Sequence, residues 1–397
     1  MKSKKIFFSI FLFFLFLFPV RAIEFDLTSK NAIIYNLHTG EVLYEKNSEE
    51  KIRIASLTKI MTGIVAIEKI DNLDDVVTIN SNMLKGLIEA NAAVVGFKVG
   101  DKVTYRDLLY GALLPSGADA TQALAISLAG SEEEFVKLMN EKAISLGMEN
   151  THYTNTSGLD TENQYSTVKD VSLVLLYALN NPTFKQIYTT KEYTTTTNIH
   201  MNSTLKSNLN RYHLQADYII GSKTGYTDLA GYCLSSIATY NGIDYLTVTA
   251  GADAKLNFPN NIIDTKKMLE YFFDHYEYTP IIKSGDILAT VKNKYDDKDI
   301  SILAKEDIYE YILKEDKNEV HFEYNGKEEI SSFTGKKDKI GTVTIKLKDT
   351  ILQTIDIYRP EKIDFNLFHF LLSYIYIIVL AFVLLLLFRK KRVKHGH

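Results

Sequence analysis

Residues 53–62 read Arg53-Ile-Ala-Ser-Leu-Thr-Lys-Ile-Met-Thr62, and the apolar run continues through Ile64, Val65 and Ile67. Apolar residues at that spacing predict a helix from Ser56 to about Lys69, with Ser56 and Lys59 on one face of its first turn. A serine hydroxyl is a poor nucleophile at its ordinary pKa, and a lysine held neutral one turn away is a base within reach. The N–H groups at a helix start lack intrahelical partners and can receive an oxyanion. The plainer reading makes Ser56 an N-cap and Lys59 a solvated helix lysine. Ser-x-x-Lys also occurs at Ser48–Lys51, Ser166–Lys169 and Ser203–Lys206, so the spacing alone decides nothing. Of the four, only Ser56 opens a run apolar enough to desolvate its lysine and lower its pKa.

Upstream, Ala32–Tyr44 reads as a β-hairpin turning at His38-Thr-Gly40. Downstream, helices are predicted over Tyr105–Leu114, stopped by Pro115, and over Ala118–Ala129, stopped by Gly130. Ser131-Glu-Glu-Glu134 has the form of a capping box and opens another helix that Gly147 closes. Val168–Leu179 is helical again, and Gly231–Tyr240, Asn241-Gly242 and Ile243–Thr249 make a long hairpin with an Asn-Gly turn. A helix over Asn261–Phe273 follows. Past Pro280, short alternating runs separated by Lys/Asp-rich turns show no helical period and read as a small all-β domain. The fold class is therefore α+β, with a main unit over residues 23–278 and the β-domain over 279–360.

The 397 residues carry a net charge of -4 and no polybasic block in the middle of the chain, which argues against nucleic acid as a partner. One cysteine, Cys233, allows no internal disulfide and sits in an apolar strand as a core residue. Nine histidines without His-Glu-x-x-His spacing give no metal site, so neither a metal nor another cofactor is expected. No Gly-x-Ser-x-Gly elbow is present, which removes the α/β-hydrolases. Residues 1–22, a Lys-rich start, an apolar run and Arg21-Ala22, read as an export signal. Leu367–Phe388 is long and apolar enough for one transmembrane helix, and Arg389, Lys390, Lys391, Arg392 and Lys394 mark residues 389–397 as a basic cytoplasmic tail. The expected location is thus a cell membrane, with the main unit outside it.

Two further motifs follow Ser56/Lys59 in order: Pro115-Ser-Gly-Ala-Asp119 between two helices, and Ser222-Lys-Thr-Gly-Tyr226 at the start of the Asn-Gly hairpin. Tyr153-Thr-Asn155 and Lys283-Ser-Gly285 imitate them, but read as a loop and a turn. With these motifs, the opening hairpin, the run Asn155-Thr-Ser-Gly-Leu-Asp160 to Asp170, and the β-domain with its terminal anchor, the chain resembles the D-alanyl-D-alanine carboxypeptidases, the low-molecular-mass penicillin-binding proteins. The resemblance covers nearly the whole chain. It implies a penicillin-binding/β-lactamase-like domain of antiparallel sheet and helices. It also implies a serine D,D-carboxypeptidase that removes the terminal D-alanine of peptidoglycan stem peptides and is inhibited by β-lactams. By the same resemblance Ser56 is the nucleophile, Lys59 its base and Ser116 the proton relay. Lys223, Thr224 and Gly225 bind the substrate, and the backbone N–H groups of Ser56 and Tyr226 form the oxyanion hole. Ala118 stands where the family has asparagine in the middle motif, and no arginine follows the third motif in the stretch Tyr212–Gly251. A non-catalytic peptidoglycan-binding homologue and a serine β-lactamase are the alternatives. The latter needs a Glu-x-x-x-Asn loop between the second and third motifs, where none is found.

Overall fold

A computed structural model describes residues 23–254 and 258–393, the last six of these by backbone alone. The expected export signal and the end of the basic tail lie outside the described residues. The chain divides into two compact units, one spanning Ala22–Asp274 and one that begins at His275.

In the first unit, β1 (Asn31–Asn36) and β2 (Val42–Lys46) form the expected hairpin, and a 3-10 turn at Ala55–Leu57 leads into α1 (Thr58–Lys69). A small ribbon of β3 (Val76–Thr78) and β4 (Lys102–Thr104) precedes α2 (Tyr105–Leu113), α3 (Ala118–Ala129), α4 (Glu132–Ser145) and α5 (Val168–Leu179). Next come α6 (Pro182–Thr189), the ribbon β5 (Glu192–Thr194) with β6 (His200–Asn202), and α7 (Thr204–Arg211). Strands β7 (Ile219–Thr227), β8 (Gly231–Tyr240) and β9 (Ile243–Ala252) and then α8 (Asn260–His275) complete it. One antiparallel sheet runs β2-β1-β9-β8-β7, so β7 is an end strand.

Helix α1 is apolar nearly all round and is buried continuously from Thr58 through Ala66, as a helix without a polar face must be. It contacts α2, α3, α4 and α5. Full burial of Ile60, Met61 and Ile64 stabilises the unit by about 2–3 kcal/mol each. Between β8 and β9, Asn241 and Gly242 both have positive φ, 50° and 80°, as a two-residue turn matched to strand twist requires.

The structure corrects the sequence reading at several points. Ser56 lies in the 3-10 turn and not in the first turn of α1, because Ala55 adopts a left-handed φ of 45° that regular helix excludes. Residues 182–211 hold α6, β5, β6 and α7, none of them expected. Their signal was Asn181-Pro182: the Asn181 side chain accepts from the N–H groups of Thr183 and Phe184, and Pro182 takes the first helical position. The Ser222–Tyr226 motif belongs to a strand of its own, β7, whose polar composition conceals its alternation.

In the second unit, β10 (Tyr276–Ile282) pairs with β13 (Ile308–Leu313), while β11 (Ile287–Asn293) is flanked by β12 (Ile300–Leu303) and the short β15 (Glu329–Ile330). A third sheet runs β14 (Val320–Gly326), β16 (Lys339–Leu347), β17 (Thr350–Tyr358). Leu288, Val291, Ile302, Val343 and Ile345 fill its core.

The single span expected over Leu367–Phe388 is broken into α9 (Leu367–Ser373) and α10 (Ile375–Val393), whose apolar parts meet at 65°. Among the described residues no single helix is long and apolar enough to cross a membrane, although this bent pair is when taken together. Tyr374 stands at the break, its hydroxyl 2.9 Å from that of Tyr295 in the β-domain and its ring 5.0 Å from Phe370 of α9.

Candidate active site

The 3-10 turn at Ala55–Leu57 lies against β7, and Gly225 is the reason it fits. A Cβ on Gly225 would stand 2.9 Å from the Ser56 nitrogen and 3.1 Å from the Ala55 Cβ. The glycine therefore admits the backbone of the serine turn.

Lys59 Nζ donates to Ser56 Oγ at 2.9 Å and to the Ser157 carbonyl at 2.6 Å. The side chain is 2% exposed, and burial pushes its pKa down to about 7, with the Asp119 carboxylate pulling the other way. A base near neutrality one hydrogen bond from a hydroxyl is what activation of that hydroxyl needs. None of the other Ser-x-x-Lys pairs is built this way. Ser203 caps α7 through the Lys206 N–H while the Lys206 ammonium goes to Glu192. Lys169 pairs with Glu49 at the surface, and Ser48 donates to Glu45.

The Ser157 carbonyl is aimed by a run that the sequence reading valued only as resemblance. Asn155 Oδ1 accepts from the N–H groups of Ser157 and Gly158, at 3.2 and 2.7 Å, and its Nδ2 donates to the Leu159 carbonyl. Thr62 Oγ1 donates to the Thr156 carbonyl, and Thr156 in turn donates to Glu132. Gly158, at φ 84°, presses on the Ala55 carbonyl so closely that any Cβ would overlap its oxygen. Asn155 thus holds a loop as expected, and Tyr153 is a core residue. A Ser-Gly pair after Asn was the available signal for this turn.

Lys223 Nζ donates to Ser116 Oγ at 2.9 Å and to the Thr224 carbonyl at 2.6 Å. It is fully buried, and burial followed by repulsion from Lys59 lowers its pKa well below the usual value. Desolvation is the larger cause at both amines. Ser116 itself sits at φ 72°, a left-handed conformation that costs a non-glycine residue of order 1–2 kcal/mol and is typical of a functional position. Thr224 Oγ1 donates to Thr204 Oγ1 at 2.5 Å. Asp119 gathers the N–H groups of Val95, Gly96 and Phe97, fixing the loop before β4.

Ser56, Lys59, Ala118 and Tyr226 line one cleft of about 480 Å3, together with residues 90–93 and 157–160. Ser116 and Lys223 form a second, buried pair. Among the described residues no cluster of His, Cys, Asp and Glu could hold a metal ion.

The family model for D-alanyl-D-alanine carboxypeptidase matches residues 19–254, and that for the C-terminal domain of penicillin-binding protein 5 matches residues 276–364. The chain belongs to the D-alanyl-D-alanine carboxypeptidase family. Within it, the chain is 32% identical over 343 residues to D-alanyl-D-alanine carboxypeptidase DacF of Bacillus subtilis (strain 168), covering 86% of this chain and 87% of that protein. The solved structure of penicillin binding protein 5 from Haemophilus influenzae matches with a TM-score of 0.62 at 26% identity, covering 85% of this chain and 97% of that one. The Streptomyces K15 DD-transpeptidase matches with a TM-score of 0.56 at 31% identity, over 63% of this chain and 98% of that one. The mixed α+β architecture with a C-terminal all-β domain is therefore that of the carboxypeptidase family.

Proposed function

We propose that the chain is a serine D,D-carboxypeptidase that removes the terminal D-alanine from peptidoglycan stem peptides through an acyl-enzyme on Ser56, and that β-lactams acylate the same hydroxyl. The observation that carries this reading is the 2.9 Å hydrogen bond between the desolvated Lys59 amine and Ser56 Oγ. Lys59 takes the proton as Oγ attacks the carbonyl, and the backbone N–H groups of Ser56 and Tyr226 receive the oxyanion. Ser116 relays that proton from Lys59 to the departing D-alanine amine, which leaves Lys59 neutral again. Water then attacks the ester, Lys59 accepts its proton, and Ser56 is restored as the shortened peptide leaves. Lys223, Thr224 and Gly225 hold the terminal carboxylate end. A bound carboxylate supplies the counter-charge that Lys223 lacks in the free site and draws a proton onto that amine.

Labelled penicillin should acylate the protein, a D-Ala-D-Ala pentapeptide should release D-alanine, and Ser56→Ala should abolish both. Labelling of the alanine variant at the parent's level would displace Ser56 from its role. Ala118 favours a second reading, a peptidoglycan-binding homologue without turnover, which D-Ala-D-Ala peptide binding without D-alanine release would support. Rapid hydrolysis of penicillin would instead favour a β-lactamase.

The apolar residues 367–388 before a basic tail support an exported protein tethered to the bacterial cell membrane, with residues 389–397 in the cytoplasm. The full-length protein should then stay with membranes through alkaline carbonate extraction; its recovery in the soluble fraction would overturn the tether.

A further inference from the structure

Strand β7 ends the sheet, and its residue Tyr226 lines the catalytic cleft, so an extended peptide in the cleft can pair with the free outer edge of β7. Such a peptide turns the N–H and C=O groups of its other edge toward the remaining walls. Each of those groups, left unpaired once water is expelled, costs about 1–3 kcal/mol. Ser56 and Lys59 are committed to each other, Asp160 accepts from Thr227 at 3.1 Å, and the Ser157 hydroxyl is 3.3 Å from Asn155 Oδ1. The rest of the lining away from β7 is Ala90, Ala92, Ala93, Ala118, Gly158 and Leu159, which carry no polar side-chain group, Asp228, which accepts from the Tyr226 hydroxyl, and Asn91.

We infer that Asn91 is the substrate-positioning residue of this cleft, its carboxamide both donating to and accepting from the peptide edge that faces away from β7. This rests on the carboxypeptidase reading and goes beyond it. Of the side chains in the cleft lining that can both donate and accept, the hydroxyls of Ser56, Ser157, Tyr226 and Thr227 already have hydrogen-bond partners, which leaves the Asn91 amide. No hydrogen bond occupies the Asn91 side chain among the described residues, and its backbone is held firmly. The Ala90, Asn91 and Ala92 N–H groups donate to the carbonyls of Gly86, Ile88 and Leu87 at 3.1, 3.0 and 2.9 Å. Leu87 is buried beneath the turn. The far end of the segment is pinned where the Ala118 N–H donates to the Ala93 carbonyl at 2.7 Å. That bond places the segment directly beside Ala118, the position at which the middle motif carries no amide of its own.

Asn91 also has a left-handed φ of 47°, which asparagine tolerates better than most residues, so a backbone role alone could account for it. Glycine separates the two roles, since it accepts that φ at least as well but carries no amide. With a D-Ala-D-Ala pentapeptide, Asn91→Gly should lower kcat/KM about ten-fold, chiefly through KM, since the contact is made before and during reaction alike. Asn91→Asp, which accepts but does not donate, should fall between the two. Acylation by benzylpenicillin, which carries an acylamide, should slow by a similar factor, while acylation by 6-aminopenicillanic acid, which has none, should not change. Parent-like kinetics of Asn91→Gly on the peptide, or equal slowing with both penicillins, would overturn the inference while leaving the carboxypeptidase reading intact. A parent protein acylated by neither penicillin, and releasing no D-alanine, would sink that reading and the inference with it.

Discussion

Lys59→Met is expected to slow acylation of Ser56 by labelled penicillin on the order of 10⁴-fold, the upper range for loss of a positioned base. Among the described residues the amine is the one basic group hydrogen-bonded to the Ser56 hydroxyl, and methionine keeps the buried volume without offering a lone pair of comparable basicity. The parent should show the matching pH dependence. With a pKa near 7, the amine is protonated and idle in acid, so the acylation rate should rise about ten-fold per pH unit below 7 and level off above it. Stability carries the same signature. The folded state sheds this proton near pH 7 while the unfolded chain keeps it to about 10.5, so stability climbs with pH across that interval, and the methionine variant should lose that part of the slope. Rapid-mixing acylation kinetics and denaturant unfolding across pH 6–10 measure both effects. A methionine variant acylated within ten-fold of the parent, or a flat parent profile through neutrality, would remove Lys59 as the base.

Gly158→Ala should be the most damaging single methyl group in the protein. At φ 84° the residue is already in glycine's territory, and the added Cβ would meet the Ala55 carbonyl, backbone that belongs to the nucleophile's own turn. Either the chain loses about 3 kcal/mol or more of stability, or the 155–159 loop withdraws. Withdrawal carries the Ser157 carbonyl away from Lys59, and a displacement near 1 Å costs about 10²-fold in rate. Gly147→Ala is the control, because Gly147 also has positive φ, 72°, yet nothing lies within 4 Å of its missing Cβ. It should lose only about 1–2 kcal/mol and acylate normally. Thermal melts and penicillin acylation of the two variants decide it: equal behaviour would mean that the Gly158 contact does not matter.

Ser56 and Lys59 could be found from sequence because the apolar run after them announced burial, and burial is what makes a lysine basic and uncharged at neutral pH. The Asn-Gly hairpin and most helices were legible for the same kind of reason: capping, glycine stops and periodicity are local properties of the chain. Strand β7 was not, because Ser222-Lys-Thr-Gly alternates without contrast in polarity and earns its place only by pairing with β8. The break at Tyr374 was equally hidden, since its hydroxyl partner, Tyr295, is distant in sequence.

By itself, then, the sequence determined the α+β class, the all-β unit past Pro280 and the order of the three motifs, all of which follow from neighbours along the chain. Only the tertiary structure decided that the Ser157 carbonyl orients the Lys59 amine, that Gly158 and Gly225 serve the serine turn, that Lys223 is hydrogen-bonded to Ser116, and that Asn91 and Ala118 line one cleft. These are contacts between segments far apart in the chain, about a hundred residues for the two lysines and more for Gly225, and no local propensity encodes where a folded backbone will bring two such segments together.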